Sequence, residues 1–249
     1  MATLREIINY CDRRLETAEF DDYCPNGLQV EACSEVNRIV TGVTASLALI
    51  EAAVELGADL LLVHHGYFWK GEAQPLTGMK GRRVAALFRH GISLAAYHLP
   101  LDAHPELGNN AQLGRLLAVE DPRPLTADRL LWGGTLPAAV SLEALGARVQ
   151  GFTAREPLLI AGGDHSVDRI AWCTGAAQGL IERAADLGFP AFLSGEVSEQ
   201  TFHVARERGI HYLAAGHHAT ERHGVRALGE ALAETFGVEH RFVDIPNPV

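Results

Sequence analysis

A fourteen-residue segment occurs twice in this chain. LIEAAVELGADLLL (49–62) returns as LIERAADLGFPAFL (180–193), with seven identities in fourteen positions. Each copy reads as an amphipathic helix running into a strand, and each follows a strand ending in Thr-Gly, at Thr41-Gly42 and Thr174-Gly175. One element later, GISLAAYH (91–98) is matched by GIHYLAAGH (209–217) with one residue inserted. Two matches in the same order, with the same element types between them, point to a duplicated βαβαβ unit. The expected fold is therefore α/β, built as two similar α/β lobes. The first lobe is assigned to residues 1–125 and the second to 126–249, with the C-terminal segment able to pack on the first lobe.

The rest of the chain fits that pattern. A helix is expected over about residues 4–18, then a loop, DDYCPNGLQV, a strand, RIVTGVTAS, and a helix, LALIEAAVEL. The strand ADLLLVHH, the helix GRRVAALFRH and the strand ISLAAYH follow. Between 120 and 170, PRPL, LWGGTLP and IAGGDHS read as turns between short strands, and SLEALGARVQ as a helix. The length of 249 residues suffices for one large or two smaller cores. Apolar residues at 47% and charged residues at 21% fit a soluble globular protein. A net charge of −10 argues against a broadly basic nucleic-acid surface, a local basic patch apart. The N-terminal stretch has no apolar core of a signal peptide, and no run approaches the length of a membrane span. The four cysteines form no C-x-x-C pair, as in a reducing compartment. A cytoplasmic location is expected.

Open α/β sheets gather ligands outside the carboxyl ends of their strands. There the first copy carries His64-His65, in LLVHHGYFW, and Asp102; the second carries Gly195-Glu196 and GHHATE, from His217 to Glu221. Successive strand residues point to opposite faces, so His64 and His65 serve one metal only if the backbone turns there; serving two metals is the easier geometry. His217 and Glu221 are four apart on an expected helix and share a face. Asp102 follows HLPL, where Pro100 favours an extended or turning chain. Mixed imidazole and carboxylate donors suit Zn, Mn or Fe. Five such ligands overfill one tetrahedral ion, whereas carboxylates bridging two divalent ions would use them all.

Each piece has a plainer alternative. A His-His pair can simply end a strand in solvent. Glu196 either caps the helix beginning near SEQTF or stands as a free carboxylate beside the metals. His98 and His218 read first as packed or supporting rings. His90, His104, His165, His203, His211, His223 and His240 read as surface or helix-face residues, and Tyr67-Phe68-Trp69 as a packing cluster before a base-stacking platform. No G-x-S-x-G elbow, Walker A sequence or G-x-G-x-x-G turn is present.

Over nearly its whole length the chain resembles the NIF-three-like family of dinuclear-metal proteins, known as GTP cyclohydrolase 1 type 2 homologues, and within it the YbgI-like bacterial branch. CPNGLQV, LLLVHHGYFWKG, AYHLPLDAHPELGNN, FLSGEVSEQ and AAGHHATERHGVRALGE carry the likeness. The resemblance implies two metal ions held at His64, His65, Asp102, His217 and Glu221, and a ring-shaped homohexamer. The chain departs from many relatives in lacking an inserted middle domain and in having Gly66-Tyr67 where they have Pro. The implied activity is a two-metal hydrolase acting on a nucleotide or similar small molecule, with Glu196 or His98 as general base or proton shuttle. The rival is a non-enzymatic metal scaffold or delivery protein, linked to the response to DNA damage.

Overall fold

A computed structural model describes residues 2–249. Its first elements are β1 (Ala2–Thr3), α1 (Leu4–Arg14), β2 (Gly27–Val30), β3 (Glu35–Val36), β4 (Arg38–Thr44) and α2 (Leu47–Glu55). Then come β5 (Leu60–His65), α3 (Gly78–His90), β6 (Ser93–Ala96), α4 (Leu99–Ala103) and α5 (Asn109–Leu116). The middle segment forms β7 (Glu120–Pro124), β8 (Trp132–Val140), α6 (Leu142–Thr153) and β9 (Leu158–Ile160). The remainder is β10 (Val167–Trp172), α7 (Ile181–Asp186), β11 (Ala191–Ser194), α8 (Glu199–Arg208), β12 (His211–Ala214), α9 (His217–Phe236) and β13 (Glu239–Phe242).

The chain divides into two compact units. One comprises Met1–Leu101 with Gly224–Pro246, the other Asp102–His223 with Asn247–Val249. The sequence placed the division near 125 and counted Asp102 with the first lobe; the structure divides at Leu101/Asp102 and counts Asp102 with the second. The reason is local: Asp102 accepts hydrogen bonds from Asn109 and Thr174, both of the second unit. The C-terminal strand β13 returns to the first unit, pairing in parallel with β4.

The first unit is built on a five-stranded sheet in the order β13-β4-β5-β6-β2. β4, β5 and β6 are parallel, and β2 closes the edge antiparallel to β6. α2 starts where the Ser46 hydroxyl accepts the Leu49 N–H at 3.2 Å, a side-chain cap for an otherwise orphaned donor. Its buried Leu49, Ile50 and Ala53 join Val40, Leu61 and Val63 in the core.

The second unit is built on a six-stranded sheet in the order β7-β8-β10-β11-β12-β9. Here β10, β11 and β12 are parallel and β9 closes the edge antiparallel to β12. The pleat sorts side chains to two cores. Ile170, Trp172, Leu193 and Leu213 face one; Ala171, Phe192 and Tyr212 face the other.

The two topologies correspond element by element. β4-α2-β5-α3-β6 matches β10-α7-β11-α8-β12, and an antiparallel strand lies beyond the last parallel strand in each. The match extends to the helix ends. α3 and α8 both stop at a left-handed glycine, Gly91 at φ 67° and Gly209 at φ 66°, a conformation that favours a residue without Cβ. Among the described residues no helix is long and apolar enough to cross a membrane.

Candidate metal centre

In the first unit the ends of β5 and β6 carry three imidazoles. β5 ends at His65, and the chain bends at Tyr67. Strand alternation alone would send His64 and His65 apart, yet their ring centroids stand 4.7 Å apart. His98, two residues beyond β6, joins them, so that His64, His65 and His98 each offer a ligand atom within 4.8 Å of the others.

Each ring is held by Nδ1. His64, at 0% exposure, places Nδ1 2.9 Å from the carbonyl oxygen of Tyr97. A carbonyl can only accept, so Nδ1 carries the proton and Nε2 the lone pair, the tautomer a metal requires. His65 Nδ1 lies 3.1 Å from Thr44 Oγ1. His98 Nδ1 donates to Asp22 Oδ1 at 2.9 Å, and its backbone N–H donates to Asn26 Oδ1 at 2.7 Å. Asp22 also accepts from Leu99 N, Asn26 Nδ2 and Cys24 N at 3.0–3.1 Å. Burial pushes the Asp22 carboxyl up, but the hydrogen bonds from His98 and Asn26, the His98 charge and the Leu99 N–H outweigh it. The net result is about 2. Asp22 is thus a fixed anion behind His98.

In the second unit the groups stand at the ends of β11 and β12. Gly195-Glu196 follows β11, and His217 opens α9. The Nδ1 edge of His217 donates to Glu196 Oε1 at 2.7 Å, and its Nε2 lies 3.1 Å from Glu221 Oε2. Burial lowers the His217 imidazole, but the hydrogen bonds and charges of Glu221 and Glu196 lift it to about 9. Asp102, 6% exposed, takes Asn109 Nδ2 at 2.8 Å and Thr174 Oγ1 at 3.2 Å on one oxygen, Oδ1. Asn110 braces the same segment, giving Nδ2 to the Asp102 carbonyl and taking the Thr174 N–H on Oδ1. Glu221 is 2% exposed, and Asp102 and Glu221 present oxygens within 4.8 Å of each other. Two buried carboxylates so close repel unless a proton or cation intervenes.

Gly175 leaves room for Glu221. It sits at φ +68°, and a Cβ there would lie 2.2 Å from Glu221 Oε1 and 3.3 Å from His217 Nε2.

The donor chemistry fits a divalent metal: imidazoles presenting Nε2, buried carboxylates, and oxygen acceptors behind the rings. Among the described residues no cysteine joins the groups that could hold a metal. Burial, then the charges of Asp102 and Glu221, pushes the Cys173 thiol up, and burial with Asp22 lifts Cys24 to about 11.

Several positions differ from the sequence reading or escaped it. His104 and His211, expected at the surface or on a helix face, are buried, His104 just after α4 and His211 at the start of β12. His104 Nδ1 accepts the N–H groups of Glu106 and Leu107, capping a turn; His211 bridges Gly162 N and the His165 carbonyl. Asp22, Asn26, Asn109 and Asn110 carry no motif of their own, and Thr174 stands in the sequence only as part of the repeated Thr-Gly mark, with no role at the site. CPNG (24–27) and GNN (108–110), turn-forming polar runs, are the available signal.

Comparison with known proteins extends over the whole chain. The model of the family described as Duf34/NIF3 (NGG1p interacting factor 3) matches residues 2–248. A protein of Allochromatium vinosum named GTP cyclohydrolase 1 type 2 homolog is 57% identical over 100% of this chain and 98% of its own length. One of the same name from Pseudomonas aeruginosa is 53% identical, covering 98% of each. Among solved structures, protein ybgI, described as of unknown function, superposes with a TM-score of 0.96 at 49% identity over 100% of both chains. TTHA1606 from Thermus thermophilus does so at 0.92 with 35% identity, again over 100% of both.

Proposed function

The chain belongs to the Duf34/NIF3 family, and we propose that it is a dinuclear metal protein acting as a metal-dependent hydrolase on a nucleotide or similar small molecule. His64, His65, Asp102, His217 and Glu221 are the ligands in this reading. The observation that carries it is the pair of buried carboxylates, Asp102 and Glu221, with oxygens within 4.8 Å of each other. A bound divalent metal would neutralise that charge, activate water and polarise the bond to be cleaved. The names of the curated relatives, GTP cyclohydrolase 1 type 2 homolog, support a nucleotide as substrate.

The residues divide the remaining work. His98 takes the proton of the attacking water on Nε2, and Asp22, bonded to Nδ1, steadies the charge that the ring then carries. Glu196 acts through His217: by holding Nδ1 it turns Nε2 toward Glu221. Asn109 and Thr174 occupy Asp102 Oδ1 and so fix the carboxylate's orientation. A ring-shaped homohexamer in the cytoplasm completes the proposal. Family membership supports the assembly, and light scattering tests it, with a hexamer mass expected and a monomer or dimer mass against it.

The test of the activity is a panel of nucleotides, phosphoesters and cyclic amides offered to protein loaded with Mn, Fe or Zn. Turnover that chelation abolishes is expected. An inert protein that keeps its metal would instead support a scaffold or delivery role.

A further inference from the structure

An exposed aromatic pair stands beside the imidazoles of the first unit. Tyr23, in the loop before β2, is 54% exposed, and its ring centroid is 5.8 Å from that of Trp69, in the loop after β5. Tyr23 also meets the ring of His98 edge-on at 5.1 Å. Trp69 meets His98 at 5.1 Å and His65 at 6.0 Å. Both rings of the pair therefore touch the group assigned to proton transfer.

The pair is held in place before any ligand arrives. The Lys70 N–H donates to the Tyr23 carbonyl at 2.8 Å, tying the two loops together. Trp69 Nε1 donates to the Gly66 carbonyl at 3.1 Å, which spends the indole's only polar group on the protein and leaves its π-face to pack. Glu72 Oε2 takes the N–H groups of Phe68 and Trp69 at 2.7 and 3.2 Å. The rest of the cluster is committed elsewhere. The Tyr67 hydroxyl is bonded to the Ala45 carbonyl, and Lys80 Nζ stands over the Phe68 ring at 5.6 Å.

We propose that Tyr23 and Trp69 form a stacking platform for a planar heteroaromatic base, delivering an atom of that base or its ribose to His98. The location rests on the hydrolytic reading above; the substrate class rests on the pair itself. A third ring sliding between two others needs about 7 Å, twice the contact distance of carbon atoms. At 5.8 Å and a 36° tilt the pair is too close for that, so the base lies on its outer face. Every nucleobase offers a π-face, so the platform selects a base as a class, and the edge contacts of the centre choose among bases.

The chain offers its own probe. Of its three tryptophans, Trp132 and Trp172 are buried in the second unit, and Trp69 is half-exposed. Zinc-loaded full-length protein is titrated with guanosine monophosphate and, separately, with ribose 5-phosphate, which has the same sugar and phosphate but no base. Saturable quenching of tryptophan fluorescence by the nucleotide alone is expected. Tyr23→Leu should weaken nucleotide binding about tenfold or more with zinc content unchanged. Trp69→Phe should abolish the quench while calorimetry still records binding. Equal binding of both probes, no saturable quench, or unaltered affinity in Tyr23→Leu would overturn the platform. Turnover measured on the same preparation keeps the two proposals apart. Quenching with no turnover across the metal and substrate panel above removes the hydrolase and leaves the base platform; turnover on that panel without quenching does the reverse.

Discussion

Glu196 Oε1 stands 2.7 Å from His217 Nδ1, on the opposite edge of the ring from Glu221. From sequence alone Glu196 is assigned to proton transfer or substrate orientation. The geometry gives its carboxylate a more specific task, that of holding an imidazole. A carboxylate behind a ligating histidine fixes the ring and raises its basicity, and its loss typically costs 10–100-fold in metal affinity.

The two glutamates should therefore separate in degree. Glu221→Gln is expected to abolish stable metal occupancy, because a neutral amide neither balances the cation nor bridges two ions. Glu196→Gln should bind metal about 10–100-fold more weakly, yet fill at saturating metal. Metal titration of both variants decides it. The reverse order, with Glu196→Gln the more damaging, would exchange their roles.

The His217 proton predicts how metal-free protein responds to alkali. Its folded pKa, about 9, lies above the unfolded value of about 6.5. The stabilisation from the imidazolium paired with Glu221 and Glu196 is therefore fully present below about pH 6.5 and is lost as pH rises through about 9. Chelated protein should show a Tm that declines over that window, and the decline should flatten in Glu221→Gln. Metal affinity should rise over the same window, because metal competes with that proton for Nε2. A pH-independent affinity would count against His217 as a ligand.

Asp22→Asn tests the partner of His98. The amide can donate to Nδ1, which reverses the tautomer and removes the lone pair from Nε2. Turnover should fall about 10²–10⁴-fold with metal content unchanged. The folded pKa of Asp22 is depressed to about 2, so the stability it contributes is present above its unfolded value near 3.9 and is lost as pH falls through about 2. Acid unfolding of Asp22→Asn should accordingly be less steep than that of the parent chain.

Gly175→Ala tests packing against the site. A Cβ at φ +68° costs about 1–3 kcal/mol of backbone strain. Here it also enters the space of Glu221 Oε1, so metal affinity should fall together with Tm. Strain alone, with affinity intact, would mean that Glu221 can move aside without loss.

Much of the fold was legible because duplication leaves a strong mark. The repeated LIE-A--LG segment located α2-β5 and α7-β11, and strand ends then located the polar groups. The side of the division on which Asp102 falls is not legible in the sequence, because the bonds that hold it, from Asn109 and Thr174, are not periodic. Asp22 was missed for the same reason: it reaches His98 across 76 residues of chain through a loop with no pattern. His104 and His211 were misjudged because a buried imidazole that caps backbone N–H groups has the same sequence appearance as an exposed one.

The most direct test is the number of metal ions held by each chain. Protein purified without chelator, and protein stripped and reloaded with Zn or Mn, should both contain two ions per chain by elemental analysis. Asp102→Asn and Glu221→Gln should each lower that number. Saturation at one ion per chain, or no stoichiometric metal at all, would contradict a dinuclear centre built on His64, His65, Asp102, His217 and Glu221.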